Sequence, residues 1–563
     1  MEEKSKKALA VKIAGPAGYG IMEAGRILGQ ALANLGFSVL VYPEYPSRIR
    51  GGDNVSLVTF SQGKDSAPAF SPEVLVTFSH ESFLLHYNEV EGEGINIVDE
   101  DFASQIEGSN RLLVFPFTQV AEETAHHPLA RNTVALGLIW GIFALPLPVL
   151  EKEIKKAFLN KGKAVLEGNQ KAVRAGYRLA KEKNLWGRKK VATSKKNKGS
   201  LYSGNEAIAQ GIMDAQCGYA AIYPMTPINS ILTVLAAHQE KTGMIIFRPE
   251  DEIAGINSAV GASFAGKRSL VATSGGGFCL MNEGFGMAGA TETPLVVVEG
   301  MRTGPSSGMA TWSSQEDLLF VINAANGEFP RFVFAPGDPQ EAYDLTLKAF
   351  ELAEKYQTPA VVLTDKYLSE SAWAVSLKRG KIAPLRGHQD WPKNYRRYEN
   401  TKSGISPRAF PGEAVFLTNS YVHNEAGFSI EDGETRVKMK EKLFRKMASF
   451  KERGTRLYGP QKAVLTFVSF GSAKGAVLAA MEALNEKKKN QANFLHFYRP
   501  WPFPQEAVKI LSQAKKFVAV ENNSTGQLAK LIRRETGIDV DQKILKDDGR
   551  PFFEGEIVSS LNH

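Results

Sequence analysis

The chain is expected to be an α/β protein of several domains, built on doubly wound, mostly parallel sheets. Three observations lead there. Short apolar strands alternate with helix-length segments in three separate stretches. Glycine-rich turns stand between a strand and a helix, where such sheets bind their ligands. A length of 563 residues also exceeds what one hydrophobic core can serve.

The first stretch, residues 1–188, opens with an apolar strand over 9–14 and a turn at Gly15, Gly18 and Gly20. A helix over 22–35 and a strand over 38–42 complete a βαβ-type half-unit, its glycines able to face an anion at the helix N-terminus. The spacing GxxGxG is not the dinucleotide fingerprint, so strand-to-helix turn geometry alone explains it equally well. Residues 189–200 read as a basic linker. The second stretch, 201–375, alternates helices over 204–216, 228–242 and 251–265 with strands over 220–223, 244–247 and 269–273. Further strands follow at 295–299, 331–334 and 360–364, which implies a doubly wound parallel sheet. Residues 376–460 are less apolar and read as an irregular connector without its own core, carrying a charged helix over 435–453. A third α/β unit fills 461–563, with strands over 463–470, 494–497 and 517–521.

Hydrophobic residues at 43% and charged residues at 23% are ordinary globular proportions and exclude a disordered or fibrous chain. The apolar run 133–150 is interrupted by Pro146 and Pro148 and followed by Glu151 and Lys152, so it reads as a buried core helix instead of a membrane span. The start, with Glu2, Glu3, Lys4, Lys6 and Lys7, resembles neither a signal nor a transit peptide, and a cytoplasmic protein without a membrane partner is expected. Only Cys217 and Cys279 are present, too few for an iron–sulfur cluster or a structural zinc, so no metal site is expected and both thiols read as small core fillers. Part of the net charge of +8 sits in Arg188-Lys189-Lys190 and Lys195-Lys196-Asn197-Lys198, a solvated linker; no nucleic-acid motif accompanies it.

Several segments carry chemistry. Ala221-Ile222-Tyr223-Pro224-Met225-Thr226-Pro227 ends a strand and opens a helix, with Thr226 expected at the N-cap and Pro227 at the first helical position. Hydroxyl and amides would then suit a carboxylate, although an N-cap with no ligand is the commoner use. Glu250, Asp251 and Glu252 open the next helix, where a first turn matched to the helix dipole is the simpler explanation. Gly275, Gly276 and Gly277, followed by Phe278, remove side chains between strand and helix and allow close approach of a ring or a second backbone. Arg302 lies in a Gly- and Pro-rich loop, able to clamp a carboxylate bidentately or simply to be solvated.

Taken in order, these segments resemble the alpha subunit of the 2-oxoacid:ferredoxin oxidoreductases. Tyr223-Pro224-Met225-Thr226-Pro227 is similar to the family's YPITP motif. Arg248-Pro249-Glu250-Asp251-Glu252, the Gly275–Phe278 turn, Arg302-Thr303-Gly304-Pro305-Ser306-Ser307-Gly308, Trp501-Pro502-Phe503-Pro504 and Val520-Glu521-Asn522-Asn523-Ser524-Thr525-Gly526 match its later signatures. Tyr42-Pro43-Glu44-Tyr45-Pro46-Ser47-Arg48-Ile49-Arg50-Gly51-Gly52 resembles the family's gamma domain, fused here ahead of the alpha domain. The resemblance covers nearly the whole chain.

It implies a gamma-type domain, a thiamine pyrimidine-binding domain and a transketolase C-terminal-like domain. Tyr223, Pro224 and Gly275–Phe278 would contact the pyrimidine half of thiamine diphosphate. Glu252 would supply the carboxyl group that drives the aminopyrimidine to its imino tautomer, a step the cofactor needs before it can make a carbanion. Thr226 and Arg302 would bind the 2-oxoacid; Arg48 and Arg50 would contact coenzyme A phosphates, although exposed basic residues in a turn are the plainer reading. The motif GDG with a distant Asn is missing, Gly337-Asp338-Pro339 and Asp548-Gly549-Arg550 being only near matches. By resemblance, a beta subunit therefore provides Mg²⁺, the diphosphate site and a [4Fe–4S] cluster, in a complex of two alpha and two beta chains that passes electrons to ferredoxin. The fused layout is most similar to the 2-oxoglutarate branch, the 2-oxoglutarate synthases of the reductive TCA cycle. Competing readings are a non-redox thiamine carboligase and a non-catalytic CoA- or nucleotide-binding regulatory protein. One departure stands out: where the family has Lys or Arg after GPSTGLPT, this chain has Trp312.

Overall fold

The computed structural model describes residues 8–47, 52–63, 67–106, 112–193 and 199–561. The chain divides into two compact units: the first takes residues up to 203 with 370–377 and 552–556, the second takes 204–369, 378–551 and the last residues.

In the first unit, β1 (Leu9–Pro16), β2 (Ser38–Glu44), β3 (Asp53–Ser61), β4 (Val74–Thr77), β5 (Ile95–Asp99), β6 (Leu112–Phe115) and β7 (Ser200–Ser203) join the strand Ala372–Val375 in one sheet of eight. Its order is β6-β5-β4-β1-β3-β2, then Ala372–Val375, then β7. β1 and β2 are the parallel arms of a crossover through the helix Ile21–Asn34, but β3 lies between them, antiparallel to both. The strand Ala372–Val375 is antiparallel to β2 and to β7, so a segment expected within 201–375 completes the first sheet. The apolar run becomes the helix Arg131–Ile142, buried on all sides from Asn132 onward as its unrelieved hydrophobicity demands. It ends before Ala144, which has positive φ, and Pro146. Among the described residues no helix is long and apolar enough to cross a membrane. Lys189 is not a freely solvated linker residue: its ammonium is 2.8 Å from Glu73. Lys195, Lys196 and Lys198 lie outside the described residues.

The second unit holds two sheets. β8 (Tyr219–Ile222), β9 (Ile245–Phe247), β10 (Ser269–Ser274), β11 (Leu295–Met301), β12 (Phe332–Phe334) and β13 (Pro359–Asp365) form a wholly parallel sheet in the order β12-β13-β11-β10-β8-β9. β10, β11 and β13 are buried along their whole length, as near-continuous apolar runs require, while the edge strand β9 is partly exposed. The chain leaves β8 toward β9 on one side and returns to β10 on the other, which opens a crevice at the C-terminal ends of β8 and β10. The expected helix over 228–242 is two, Asn229–Ala237 and Gln239–Thr242, broken at His238.

The other sheet has five strands: Thr455–Tyr458, Ala492–Phe497, Leu465–Phe470, Phe517–Glu521 and Gln542–Leu545 in spatial order. All pairs are parallel except the first. One core serves both sheets, with Phe278, Phe285 and Val297 in the same cluster as Phe470, Phe497 and Leu531. Gln315 ties them together. Its side chain donates to the Phe470 carbonyl at 3.0 Å and accepts from the Asn522 amide at 3.0 Å.

The 376–460 connector is largely irregular and is held by charge. Both carboxyl oxygens of Glu292 lie 2.5 Å from an ammonium, one from Lys442 and one from Lys446, and both lysines are fully buried. Burial alone would raise the Glu292 carboxyl, but Lys446, Lys442 and Arg397 outweigh it and hold it at about 2. In the Val520–Gly526 signature, Glu521 accepts the amides of Leu528 and Ala529 at 2.8 and 3.0 Å, satisfying the first turn of the helix Gln527–Thr536.

Candidate active site

Four loops meet at the C-terminal edge of the six-stranded sheet. Tyr223, Pro224 and Thr226 follow β8; Glu252 begins the helix after β9; Gly275–Phe278 begin the helix after β10; Arg302 follows β11. The sheet order places the first and third of these on either side of the crevice. They touch: the Ser274 hydroxyl is 2.6 Å from the Met225 sulfur.

Glu252 is the first residue of the helix Glu252–Phe264, whose N-cap is Asp251, its side chain accepting the Ala254 amide at 2.8 Å. Asp251 thus does the work expected of an acidic first turn. Glu250 is exposed. Glu252 is only 3% exposed, and its Oε1 is buried without a hydrogen-bond partner. A buried carboxyl oxygen left unmet is costly unless a ligand supplies the donor. It faces Gly277: a β-carbon there would lie 2.5 Å from Oε1. Phe278 is fully buried beneath the turn, whereas Gly276 is exposed. These features fit an aminopyrimidine, a flat ring with a nitrogen to pair with Glu252.

Thr226 is not an N-cap. The helix starts at Asn229, and the capping position belongs to Ile228. The reason is a turn over Thr226–Ile228, closed by the Ile228 amide on the Met225 carbonyl at 2.9 Å, while Asn205 donates to the Pro227 carbonyl at 2.7 Å. Thr226 therefore stands half-buried at the crevice, its carbonyl accepting from Arg302 Nη1 at 3.0 Å. Arg302 makes no ion pair among the described residues. Half-buried, its guanidinium is lowered below the ordinary value by burial. Arg48 and Arg50 lie outside the described residues.

Cys279 is exposed, correcting its reading as a core filler: Phe278 takes the inward side of the helix and leaves Cys279 on the outer one. Cys217 is buried as expected. Trp312 packs within the chain, its Cβ and Cε3 about 3 Å from where a β-carbon on Gly549 would stand.

Two acids of the site escaped the sequence reading. Glu299, two residues before the end of β11, is 0% exposed, and Asp317 lies against Gly275. Burial and then Asp317 push Glu299 well above the ordinary carboxyl range, and burial with Glu316 brings Asp317 up to about 6. A lone glutamate closing the apolar run Leu295–Val298 was the signal available in the sequence.

Known proteins similar to this chain point to one family. The family described as pyruvate flavodoxin/ferredoxin oxidoreductase, thiamine diphosphate-binding, matches residues 210–442, and that described as pyruvate ferredoxin/flavodoxin oxidoreductase matches 10–179. The chain is 31% identical to 2-oxoacid:ferredoxin oxidoreductase 2, subunit alpha, of Aeropyrum pernix, over 98% of this chain and 97% of that one. It is 34% identical to the 2-oxoglutarate synthase subunit KorA of Archaeoglobus fulgidus, over 59% of this chain and 90% of that one. The structure of 2-oxoglutarate:ferredoxin oxidoreductase from Magnetococcus marinus, with 2-oxoglutarate, coenzyme A and succinyl-CoA bound, matches with a TM-score of 0.91 at 30% identity over 99% of both chains. Whole-length similarity and a thiamine-binding domain place this chain in the alpha-subunit family of the 2-oxoacid:ferredoxin oxidoreductases.

Proposed function

We propose that this chain is the fused gamma–alpha subunit of a complex converting 2-oxoglutarate, coenzyme A and two oxidised ferredoxins to succinyl-CoA, CO₂, a proton and two reduced ferredoxins. The observation that carries the reading is the unmet Oε1 of Glu252 beside Gly277, in a crevice that also holds the unpaired Arg302. Thiamine diphosphate, when bound, supplies a nucleophilic carbon able to cleave the bond between a carboxylate and its neighbouring keto group. Glu252 holds and exchanges a proton with the pyrimidine nitrogen. Tyr223, Pro224 and Gly275–Phe278 hold the ring; Thr226 and Arg302 orient the carboxylate of the 2-oxoacid.

The domain roles follow the same reading: 1–188 as the gamma-type domain with Arg48 and Arg50 toward coenzyme A, 189–200 as linker, 201–375 as the pyrimidine-binding domain, 376–460 as connector and 461–563 as the transketolase C-terminal-like domain. Coenzyme A and 2-oxoglutarate in the Magnetococcus marinus relative support the choice of substrates. A beta subunit supplies Mg²⁺, the diphosphate site and the [4Fe–4S] cluster, in a cytoplasmic assembly of two alpha and two beta chains. The test is co-expression of this chain with a beta subunit carrying GDG and four cluster cysteines. The reading expects CoA-dependent reduction of ferredoxin by 2-oxoglutarate, and a colourless, inactive chain when it is purified alone. Turnover of pyruvate with none of 2-oxoglutarate would refute the substrate; a cluster spectrum from the lone chain would refute the division of roles.

A further inference from the structure

Glu299 and Asp317 pose a problem in proton accounting. Glu299 is wholly buried, and among the described residues neither of its carboxyl oxygens meets an N–H or hydroxyl donor. The strand register sets Glu299 opposite Thr273, two residues before Gly275, and the carboxyl group lying against Gly275 is that of another acid, Asp317, which bears directly on Glu299. Two carboxyl groups can meet that way only with a proton between them, because two carboxylates have four acceptor oxygens and nothing to donate. Arg302, three residues on, is the cation that feels Glu299, yet among the described residues the two form no ion pair and the guanidinium donates to the Thr226 carbonyl. The other groups facing Glu299 are Cys279 and Asp365, which disfavour its ionisation; Glu316, beside Asp317, is occupied in accepting the Gly304 amide at 2.8 Å.

We propose that Glu299 and Asp317 hold a single proton between them, with Glu299 the protonated member, and that this leaves Arg302 a free cation for the carboxylate of the 2-oxoacid. Glu299 is then a positioning residue: ionised, it would take Arg302 for itself and compete with substrate; protonated, it donates to Asp317 and leaves the guanidinium turned to the crevice. The ordering of the two acids agrees, since Asp317 stands at about 6 and Glu299 well above its ordinary value. Asp317 in turn abuts the first residue of the glycine turn, so the pair is built into the pyrimidine pocket and does not merely lie near it.

The inference rests on Arg302 as the substrate ligand, and the tests separate the two. In the assembled complex, Asp317→Asn removes the like charge and adds an amide donor that favours the ionised acid, so Glu299 ionises more readily and pairs with Arg302; KM for 2-oxoglutarate should rise roughly tenfold, the effect of losing a charge-assisted hydrogen bond. Adding Glu299→Gln, which mimics the neutral acid in shape and charge, should bring KM back down. Additive or worse impairment in the double variant would overturn the proposal, since that is what a purely structural role predicts. A difference infrared spectrum between the wild-type complex and Glu299→Gln at neutral pH should show the carbonyl band of a protonated carboxyl group; its absence would overturn the proposal whether or not Asp317→Asn assembles. If Arg302→Met leaves KM unchanged while that band is present, the substrate reading fails and the shared proton stands.

Discussion

The carboxylate of Glu252 and the α-carbon of Gly277 are so close that any side chain at 277 would meet Oε1 at 2.5 Å. The Thr273 hydroxyl would lie nearer still, so glycine at 277 keeps room both for the acid and for the strand that precedes the turn. Glu252→Gln should leave the complex assembled and lower 2-oxoacid-dependent dye reduction by on the order of 10²–10⁴. Gly277→Ala should cause a comparable loss by displacing the carboxyl group, whereas Glu250→Gln, on an exposed residue, should do much less. Loss of turnover in Glu250→Gln with full activity in Glu252→Gln would reassign the acid.

The Arg302 hydrogen bond to the Thr226 carbonyl ties the two proposed substrate contacts into one unit. Arg302→Met should raise KM for the preferred 2-oxoacid by a factor equivalent to about 1.5–3 kcal/mol. Thr226→Val keeps the backbone carbonyl and should cost less. Steady-state kinetics with both variants checks the order; equal constants in both and in wild type would move the carboxylate site to the partner chain.

Trp312 stands where the resemblance led us to expect Lys or Arg, and it rests against Gly549. Trp312→Arg should raise kcat/KM for 2-oxoglutarate relative to pyruvate and 2-oxobutyrate, because only the first brings a second carboxylate to an added charge. Trp312→Phe, which keeps the packing on Gly549, should leave the ranking as it is. An unaltered ranking in Trp312→Arg would mean that this side chain does not face substrate.

The Glu292–Lys442–Lys446 cluster predicts an acid-sensitive connector. A carboxyl group held at about 2, against an ordinary 4.5, contributes stability that is complete above 4.5 and lost as pH falls from there toward 2. Glu292→Gln leaves two buried ammonium groups unpaired and should cost about 3–5 kcal/mol at neutral pH. Replacing all three residues by apolar ones should recover much of that. Urea unfolding between pH 2 and 7 would read both effects; parallel curves for wild type and Glu292→Gln through the acid range would exclude the mechanism.

Much of this architecture was legible beforehand because it is local. Apolar runs such as Leu295–Val298 and the glycines after Ser274 dictate strand, turn and helix from their own chemistry, and the helix containing Glu252 announces itself through the acids at its start. What was hidden depends on partners distant in sequence. Thr226 looked like an N-cap until Asn205 took the Pro227 carbonyl and the turn delayed the helix to Asn229. Glu299 and Asp317 are unremarked acids in the sequence, and only folding removes their water and sets one against the other. Ala372–Val375 has nothing in its composition to say which sheet it joins.

That strand also bears on how the protein is made. The first sheet needs Ala372–Val375 between β2 and β7, and its unit further includes residues 552–556. Emerging from a ribosome at about 5–20 residues per second, the N-terminal segment must wait through the synthesis of the entire six-stranded sheet before its own edge is filled. Until then β2 offers an open row of amides and carbonyls to any passing strand. Nascent chains stalled before residue 372 should accordingly be more prone to aggregate, and more readily cut by protease in the first unit, than chains released after it.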